Sequence, residues 1–432
     1  MASLQDLANA LSGLLQAAGI GKYAVSLTES EKRELNTEQT GFSLYRTIFD
    51  RSASVAAFIG GRKGSAKGND LTEEGLRKLV EDAKAGALSS APDEANDIAP
   101  AQAPEVFRFG PLEPDMERFY GRLSEAIDTV SKEYPLIRLG QIIGSHDWVH
   151  RLYFNSNGTR FEKFDGRYET MLEFAGNNGE KTTGIAFGGV TADSLDQPVL
   201  SLGSLRRLLA ETEKSLTTVP VGDKFEGTVI FTPDALGQFA WMLLDNYAGA
   251  GVIMNGTSQW RDRLGEQVVS DKITMRLAAE DSRLAVTASY TGDGYRAEEV
   301  TVIDRGTLRA FLLNLYAARK TGGEVAKNDG GHLIMEPGET ALADMIRGVS
   351  RGLIVGGFSG GEPGVNGEFS GVAKNSFYVE NGEVKGAVME TMISGNLTDV
   401  FSKVTAVSKE SESDGTSAFP WMASEGVTIS GS

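Results

Sequence analysis

Hydrophobic residues spaced three and four positions apart predict a series of amphipathic helices along the chain. The first is residues 1–21, where leucines recur at helical spacing and the basic segment that opens a signal peptide is lacking. A third helix is expected to end before Pro135, because proline cannot continue a helix. Further helices are predicted at residues 233–249 and from residue 396 to about residue 407. The apolar positions that define the first four patterns are Leu4, Leu7, Leu11, Leu14 and Leu15; Leu76, Leu79, Val80 and Ala83; Met116, Phe119, Leu123, Ile127 and Val130; and Leu202, Leu205, Leu208 and Leu209.

Between these helices, alternating apolar and polar residues predict antiparallel strands. Residues 22–62 are expected to form strands with a hairpin tip at Asp50-Arg51-Ser52. Residues 136–190 are expected to form a meander with turns at residues 155–158 and at Asp165-Gly166, because Asn-Gly and Asp-Gly sequences favour hairpin turns. From residue 221 onward glycine is dense and strands are short, with hairpin turns predicted at residues 304–306 and 381–382.

This organisation predicts a multi-domain α+β protein. Residues 1–90 are interpreted as an N-terminal α/β domain with antiparallel strands, and residues 91–114 as a linker, because five of the twelve prolines fall there. Residues 115–220 are predicted to form a central α+β domain in which helices flank the β meander. Residues 221–432 are predicted to form a C-terminal β-rich domain, either sandwich-like or barrel-like.

The amino-acid composition argues against several classes of partner. The formal net charge of −17 works against binding to duplex DNA, so no direct nucleic-acid partner is expected. No apolar run approaches the roughly 20 residues that span a bilayer, so no membrane partner is expected. The chain contains no cysteine, which excludes disulfides and thiolate ligands and fits a cytoplasmic location.

Two of the three histidines, in the sequence Ser145-His146-Asp147-Trp148-Val149-His150, share the spacing of the zinc-peptidase motif H-E-x-x-H. A helix would bring both imidazoles to one metal ion. A strand would separate them by roughly 13 Å, which is too far for a shared zinc. The strand is favoured, because residues 148–154 form a β-rich run. His332 is expected to have no role.

Several short sequence segments in the C-terminal half are hard to explain by core packing alone. They are LLDNYAGAG at residues 243–251, YAARK at 316–320, MIRG at 345–348, NGEFSG at 366–371, YVENGEV at 378–384 and METMISGNL at 389–397. In order and spacing, from roughly residue 20 to the end, they resemble the TldD/PmbA family, also called TldE-like or "modulator of DNA gyrase".

The resemblance implies that the metal-binding motif of the family is not preserved in this chain. In the TldD arm of the family, a helix carries H-E-x-x-x-H and, with a distant cysteine, holds the metal of a peptidase. Here the motif corresponds to Asp245, Asn246 and Ala250. Alanine has no lone pair for a metal, and the Asn246 amide cannot serve as a general base at neutral pH. The chain is therefore similar to the PmbA/TldE arm. No metal ligand, catalytic residue or cofactor is expected in it, and zinc is expected in a TldD-type partner.

The resemblance also implies two C-terminal β domains that face each other in a dimer and enclose a lumen for unfolded peptide. Residues 356–371 are interpreted either as a glycine-rich backbone that a peptide strand approaches or as a flexible surface loop. Asn396 is expected to cap a helix. The candidates for peptide binding or the subunit interface are Asn366, Gly367, Phe369, Ser370, Glu390 and Ser394.

The function hypothesis is a PmbA/TldE-like subunit of a TldD/TldE-type metallopeptidase that degrades or matures unfolded peptides. Its expected partner is a TldD-type catalytic chain in a heterodimer, or a second copy of itself. Two alternatives stay open. One is a stand-alone or homodimeric peptidase or hydrolase, and the other is a regulatory protein that modulates DNA gyrase through protein contacts.

Overall fold

The computed structural model describes residues 2–38 and 41–431. Three of the four helices of the N-terminal half begin at a capping side chain. Ser3 accepts a hydrogen bond from the Asp6 amide and Asp6 returns one, so the first helix starts with a capping box. Thr72 and Asp115 each accept a hydrogen bond from a backbone amide in the first turn of the next two helices. The fourth helix follows Ser204, whose side chain makes no capping hydrogen bond. These helices are α1 (Leu4–Ala17), α2 (Glu73–Ser89), α3 (Met116–Glu133) and α4 (Leu205–Lys214).

The first sheet has seven strands in the described part of the chain. Its order is β3-β2-β1-β5-β6-β4, with β7 beside β4 on the same edge of β6. All pairings are antiparallel except that of β4 with β6. Apolar side chains from α1, α2 and α3 cover this sheet. The strands are β1 (Lys22–Glu38), β2 (Gly41–Ile59), β3 (Arg62–Gly68), β4 (Glu105–Phe109), β5 (Ile137–Asn155), β6 (Arg160–Gly176) and β7 (Ala186–Ala192).

Two predicted turns in this region are wrong. Strand β2 runs straight through residues 50–52, where Asp50 lies opposite Ser30, because exposed strand positions accept polar side chains. Strand β6 runs through Asp165-Gly166. Gly166 is required there for a close approach and not for a turn, since a Cβ atom would lie 2.0 Å from the Pro111 carbonyl oxygen. The predicted turn at residues 155–158 is confirmed.

The first sheet joins strands from both sides of the segment interpreted as a linker. Strand β4 lies within residues 91–114 and pairs with β6, while β1 pairs with β5 over fifteen residues. The N-terminal and central regions therefore share one sheet. The individual domain boundaries stay a prediction.

The C-terminal region contains a 13-stranded sheet, counted over the described residues. It is open and branched and not closed on itself. Strand β20 lies at the branch point, with β8, β12, β18 and β19 as its neighbours. The strands are β8 (Phe225–Phe231), β9 (Met275–Leu277), β10 (Val300–Asp304), β11 (Thr307–Leu308), β12 (Leu333–Met335), β13 (Arg351–Val355), β14 (Gly357–Gly360), β15 (Glu368–Lys374), β16 (Ser376–Glu380), β17 (Glu383–Val388), β18 (Met392–Asn396), β19 (Val404–Ser413) and β20 (Ala418–Ser430).

Helix α5 is the central helix of this region and packs against β8, β14 and β20. Thr232 caps it and Pro233 occupies its first turn, where proline is tolerated. Its apolar residues lie in the largest core. No helix in residues 2–38 and 41–431 is long and apolar enough to cross a membrane. The C-terminal helices are α5 (Pro233–Tyr247), α6 (Ala250–Met254), α7 (Leu315–Thr321), α8 (Leu342–Arg347) and α9 (Leu397–Ser402).

The local predictions for this region are largely confirmed. Arg305 and Gly306, and likewise Asn381 and Gly382, have positive φ angles in tight hairpins. One helix is shorter than predicted. It ends at Ser402, and residues 404–413 form β19. The β-branched residues at the start of that segment favour a strand. The mixed helix and strand content confirms the α+β class.

Candidate functional site

The C-terminal end of α5 carries the residues that correspond to the family's metal motif. Asp245 and Asn246 lie in the last turn of α5, whereas Ala250 is the first residue of α6. Gly249 separates the two helices, and a Cβ atom there would lie 3.0 Å from the Asp245 carbonyl oxygen. The three positions therefore do not lie along one continuous helix.

The side chains at these positions are poor metal ligands. Partial desolvation, together with the nearby carboxylate of Glu362, raises the pKa of Asp245. The Asn246 amide nitrogen is buried and has no hydrogen-bond partner among the described residues. Ala250 offers no donor atom.

This donor set does not fit a catalytic zinc, which takes three protein ligands and a water. Within residues 2–38 and 41–431, no group of three His, Asp or Glu side chains is arranged to hold a metal ion. Asp245 is the only one of the three motif positions whose side chain could bind a metal as an anion.

Tyr247 connects the end of α5 to a loop formed by residues 361–367. Its ring is fully buried and stacks on Trp260, with the ring centres 4.8 Å apart. Its hydroxyl group donates a hydrogen bond to the Asn366 carbonyl oxygen at 3.2 Å. Burial raises the pKa of Tyr247, so the phenol stays protonated and keeps its role as a donor.

The 361–367 loop is held by backbone contacts as well. The Gly367 amide donates to the Gly364 carbonyl at 2.7 Å, and the Gly367 carbonyl accepts from the Leu397 amide at 2.9 Å. The Asn396 side-chain amide donates to the Asn366 carbonyl at 2.7 Å. The Asn396 side-chain oxygen accepts from the Thr398 amide, so the predicted helix cap is confirmed. The loop is therefore tied to both α5 and α9.

Gly367 can be replaced by no other residue without strain. Its φ angle is +85°, and a Cβ atom would lie 2.0 Å from the Tyr247 hydroxyl oxygen. A side chain at this position would push Tyr247 away from the loop.

Five of the six predicted peptide or interface residues lie together. Strands β15 and β18 pair so that Phe369 is opposite Gly395 and Ser370 is opposite Ser394, with Asn366 and Gly367 just before β15. Ser370 is exposed and Ser394 half-buried. Phe369 is buried against Phe239 and Phe358, so it stabilises the core and its ring is not available to a peptide.

Glu390 is the sixth candidate, and it lies apart from the others. It is exposed, with a φ angle of +52°, in the turn between β17 and β18. Met392 at the start of β18 lies opposite Val372 at the far end of β15, whereas Asn396 lies opposite Glu368 at the near end. Glu390 is therefore at the other end of this strand pair from Asn366.

Strand β14 lies within residues 356–371, the predicted glycine-rich segment, and sequence reasoning missed only how its outer edge is capped. Among the described residues, β14 pairs with β15 alone. On its other edge, the Gln238 side-chain amide donates to the Phe358 carbonyl at 3.1 Å and accepts from the Phe358 amide at 3.3 Å. Gln238 thus makes both hydrogen bonds that a neighbouring strand would make. The only sequence signal is a glutamine in a helix, which is not informative.

The histidine pair lies on β5, so the strand interpretation is confirmed. His146 is buried and its Nε2 atom contacts the Pro111 carbonyl oxygen at 2.7 Å. His150 stacks on Phe164, and its Nε2 atom lies 2.8 Å from Glu162 Oε1. Each histidine has its own partner, and burial lowers the pKa of His146.

Comparison with known families matches most of this architecture. Residues 225–431, which include α5, the 361–367 loop and the β15–β18 pair, match the model of the PmbA/TldA metallopeptidase C-terminal domain. Residues 23–87 match the model of domain 1 of the same metallopeptidases. The chain belongs to the PmbA/TldD family.

Similar full-length relatives carry metalloprotease names. This PmbA/TldD-family chain is 25% identical over 386 residues to a metalloprotease PmbA homolog of Haemophilus influenzae, covering 84% of this chain and 82% of that protein. It is 26% identical over 378 residues to metalloprotease PmbA of Escherichia coli O157:H7, with the same shares covered.

Solved structures share the fold. TldE from Thermococcus kodakarensis matches this family member with a TM-score of 0.84 at 22% identity, over 98% of this chain and 100% of that one. A Thermotoga maritima protein named for modulation of a DNA gyrase matches with a TM-score of 0.82 at 19% identity, over 99% and 100%.

Proposed function

We propose that this chain is the non-catalytic, PmbA/TldE-like subunit of a metallopeptidase that acts on unfolded peptides. Its partner is a TldD-type chain that binds zinc. The observation that carries the proposal is the end of α5, where only Asp245 of the three motif positions has an anionic side chain. The lack of cysteine in the sequence also removes the third ligand that the resemblance implies.

Two arguments support the loss of catalysis in this chain. A general base must accept a proton, and the side chain of Asn246 is a neutral amide at the position of the motif's glutamate. The raised pKa of Asp245 also means that a proton competes more strongly with a metal for its carboxylate.

The edge of β14 is where we place an unfolded peptide. An extended chain binds to a sheet edge through its backbone, so this mode accepts many sequences. Gln238 occupies the position of such a strand at Phe358. An incoming peptide would take over these two hydrogen bonds and displace the Gln238 side chain toward solvent.

Exposed residues around β15 and β18 are the proposed contact with the partner. Ser370 lies on this surface, and Val365 in the adjoining loop is 65% exposed. At the other end of the strand pair, Met389 is 59% exposed beside Glu390. Exposed apolar side chains rimmed by polar ones are typical of protein contact surfaces. A cytoplasmic location is part of the same proposal, since the chain has no cysteine.

A zinc-binding measurement tests the proposal. The purified chain and a TldD-type chain are each incubated with excess zinc and desalted, and bound zinc is measured by atomic emission. We expect well below one zinc per chain for this protein and a full complement for the TldD-type chain. One firmly held zinc per chain that disappears in Asp245→Ala would contradict the proposal.

A further inference from the structure

A cavity of about 690 Å³ lies between one face of the first sheet and residues 286–292 of the C-terminal region. It is separate from the end of α5 and from the β14 edge. Side chains from five strands, β1, β2, β3, β5 and β6, face it, and the opposite wall includes Tyr290, Asp329 and His332. Neither the metal-motif positions nor the proposed peptide and partner contacts involve this cavity.

Two basic residues lie side by side on the floor of the cavity. In the register of β5 and β6, Arg151 is directly opposite Lys163. Residues opposite each other in an antiparallel pair have Cβ atoms about 5 Å apart, and like charges at that distance destabilise a sheet. Lys163 is neutralised, because its Nζ atom lies 3.1 Å from Asp165 Oδ2 and also donates to the Thr287 carbonyl. Arg151 is exposed, and it has no ion-pair or hydrogen-bond partner within the part of the chain that the structure describes.

The other charged groups of the cavity do not neutralise Arg151. Asp165 is shared, with Arg167 Nη1 3.7 Å away in addition to Lys163. Asp329 accepts a hydrogen bond from the Gly292 amide at 2.7 Å, and burial raises its pKa. Asp50 lines the far side, where Lys67 is a further cation without an ion pair in residues 2–38 and 41–431.

Two of the four cations that line the cavity are paired. Lys163 Nζ lies 3.1 Å from Asp165 Oδ2 and Arg167 Nε lies 2.7 Å from Glu169 Oε1, whereas Lys67 and Arg151 have no ion pair in the described part of the chain. The lowered pKa of His332 has burial as its main cause and the nearby Lys163 as the next, so this side chain also senses positive charge. Unpaired cations in a cleft raise the local concentration of anions.

Tyr290 adds an unused donor. Its hydroxyl group is buried and has no partner among the described residues, and its ring packs on Phe161 with the centres 5.3 Å apart. Burial raises the pKa of Tyr290 to about 12, so the hydroxyl keeps its proton. Buried hydroxyl groups are nearly always hydrogen-bonded, and a donor without an acceptor therefore points to a missing acceptor.

We propose that this cavity binds the oxyanion group of a small molecule, a carboxylate or a phosphate, with the Arg151 guanidinium as its main ligand. The planar guanidinium donates two parallel hydrogen bonds to such a group. The bound anion neutralises Arg151, which has no ion pair of its own among the described residues, and the Tyr290 hydroxyl group is the neighbouring donor. This site is independent of the peptidase role proposed above.

Binding of two probe anions tests the proposal and distinguishes the sources of the oxyanion. Succinate and inorganic phosphate are titrated into the full chain by calorimetry, with sodium chloride at equal ionic strength as the blank. Binding of succinate identifies a carboxylate ligand, and binding of phosphate identifies a phosphate ligand. Arg151→Gln is expected to weaken the binding by at least about tenfold, the loss of one charge-assisted pair.

The matched control is Arg138→Gln, which changes an exposed arginine of the same strand that does not line the cavity. It is expected to leave the binding unchanged. Without added anion, Arg151→Gln is expected to be about as stable as the parent, because Arg151 is exposed and makes no ion pair or hydrogen bond among the described residues. Failure of both probes to bind, equal binding by Arg151→Gln, or a marked loss of its stability would each overturn the proposal.

Discussion

The Tyr247 hydroxyl group donates a hydrogen bond to the carbonyl oxygen of Asn366, and this contact joins the end of the central helix to the 361–367 loop. The same carbonyl also accepts from the Asn396 side chain. One backbone oxygen therefore links α5, the loop and the start of α9. The loop that the sequence identified as a candidate binding segment is thus held in place by the helix that corresponds to the family's metal motif.

Replacing Tyr247 by phenylalanine removes this hydrogen bond and keeps the ring on Trp260. We expect the free energy of unfolding to fall by about 1 kcal/mol, the usual net contribution of one buried hydrogen bond. Urea denaturation measures the change. Tyr45→Phe is the control, because Tyr45 is exposed, and it should be close to neutral. Equal effects of the two substitutions would show that the Tyr247 contact contributes nothing.

Gly367→Ala is expected to lower the free energy of unfolding more than a glycine-to-alanine substitution elsewhere in the 361–367 loop. The substitution combines a positive φ angle with a clash against the Tyr247 hydroxyl. The two effects together should cost roughly 2–5 kcal/mol of unfolding free energy. Gly361→Ala in the same loop is the matched control, since a Cβ atom there meets nothing within 4 Å. A similar small cost for both variants would contradict the described geometry of the loop.

A partly buried ion cluster between α4, α5 and β19 predicts a pH dependence of stability. Arg207 contacts three carboxylates, of which Glu211 lies 3.0 Å away and Glu412 lies 2.8 Å away, and Asp234 is the third. Burial, reinforced by the other two carboxylates, raises the pKa of Glu211 to about 7 in spite of Arg207. The folded protein therefore holds a proton on Glu211 at a pH where the unfolded chain has released it.

It follows that Glu211 makes folding less favourable as the pH rises from about 4.5 to about 7, because the unfolded state binds fewer protons in this window. Glu211→Gln should remove this part of the pH dependence and leave stability flatter between pH 5 and pH 7. Denaturant unfolding across that range measures it. Glu81→Gln, at an exposed site on α2, should keep the parental slope. A parental slope in Glu211→Gln would show that Glu211 titrates normally.

Gln238→Ala tests the edge of β14 as the place of peptide binding. The substitution frees the Phe358 amide and carbonyl groups that the glutamine side chain now occupies. An extended peptide no longer has to displace that side chain, so we expect its dissociation constant to fall several-fold. Fluorescence anisotropy with a labelled unfolded peptide measures the affinity. Gln16→Ala on α1 should have no effect, and unchanged or weaker binding by Gln238→Ala would argue for another peptide site.

The sequence predicted most elements because each rests on a local pattern. The leucine spacing of α1, the cap at Asn396 and the Asn381-Gly382 hairpin are all set by neighbouring residues. The turn predicted at Asp165-Gly166 is wrong because a distant contact decides the structure there. Gly166 lies in a strand because the backbone at Pro111 passes close to it, and no pattern within ten residues reports that approach.

The candidate site was predictable only in part, for the same reason. The strings around Asn366 and Ser394 could be singled out separately, but their pairing across β15 and β18 joins segments that are far apart in sequence. The capping of β14 by Gln238 spans 120 residues and has no local signal. The charged cavity is likewise formed by strand register, which places Arg151 beside Lys163.

Peptide hydrolysis distinguishes a chain that assists catalysis from one that performs it. An unfolded peptide is incubated with zinc and this chain, with a TldD-type chain that carries H-E-x-x-x-H, and with both together. We expect hydrolysis only in the mixture, and its loss when the glutamate of the partner's motif is changed to glutamine. Robust hydrolysis by this chain alone, abolished by a chelator, would show that this chain is itself a metallopeptidase.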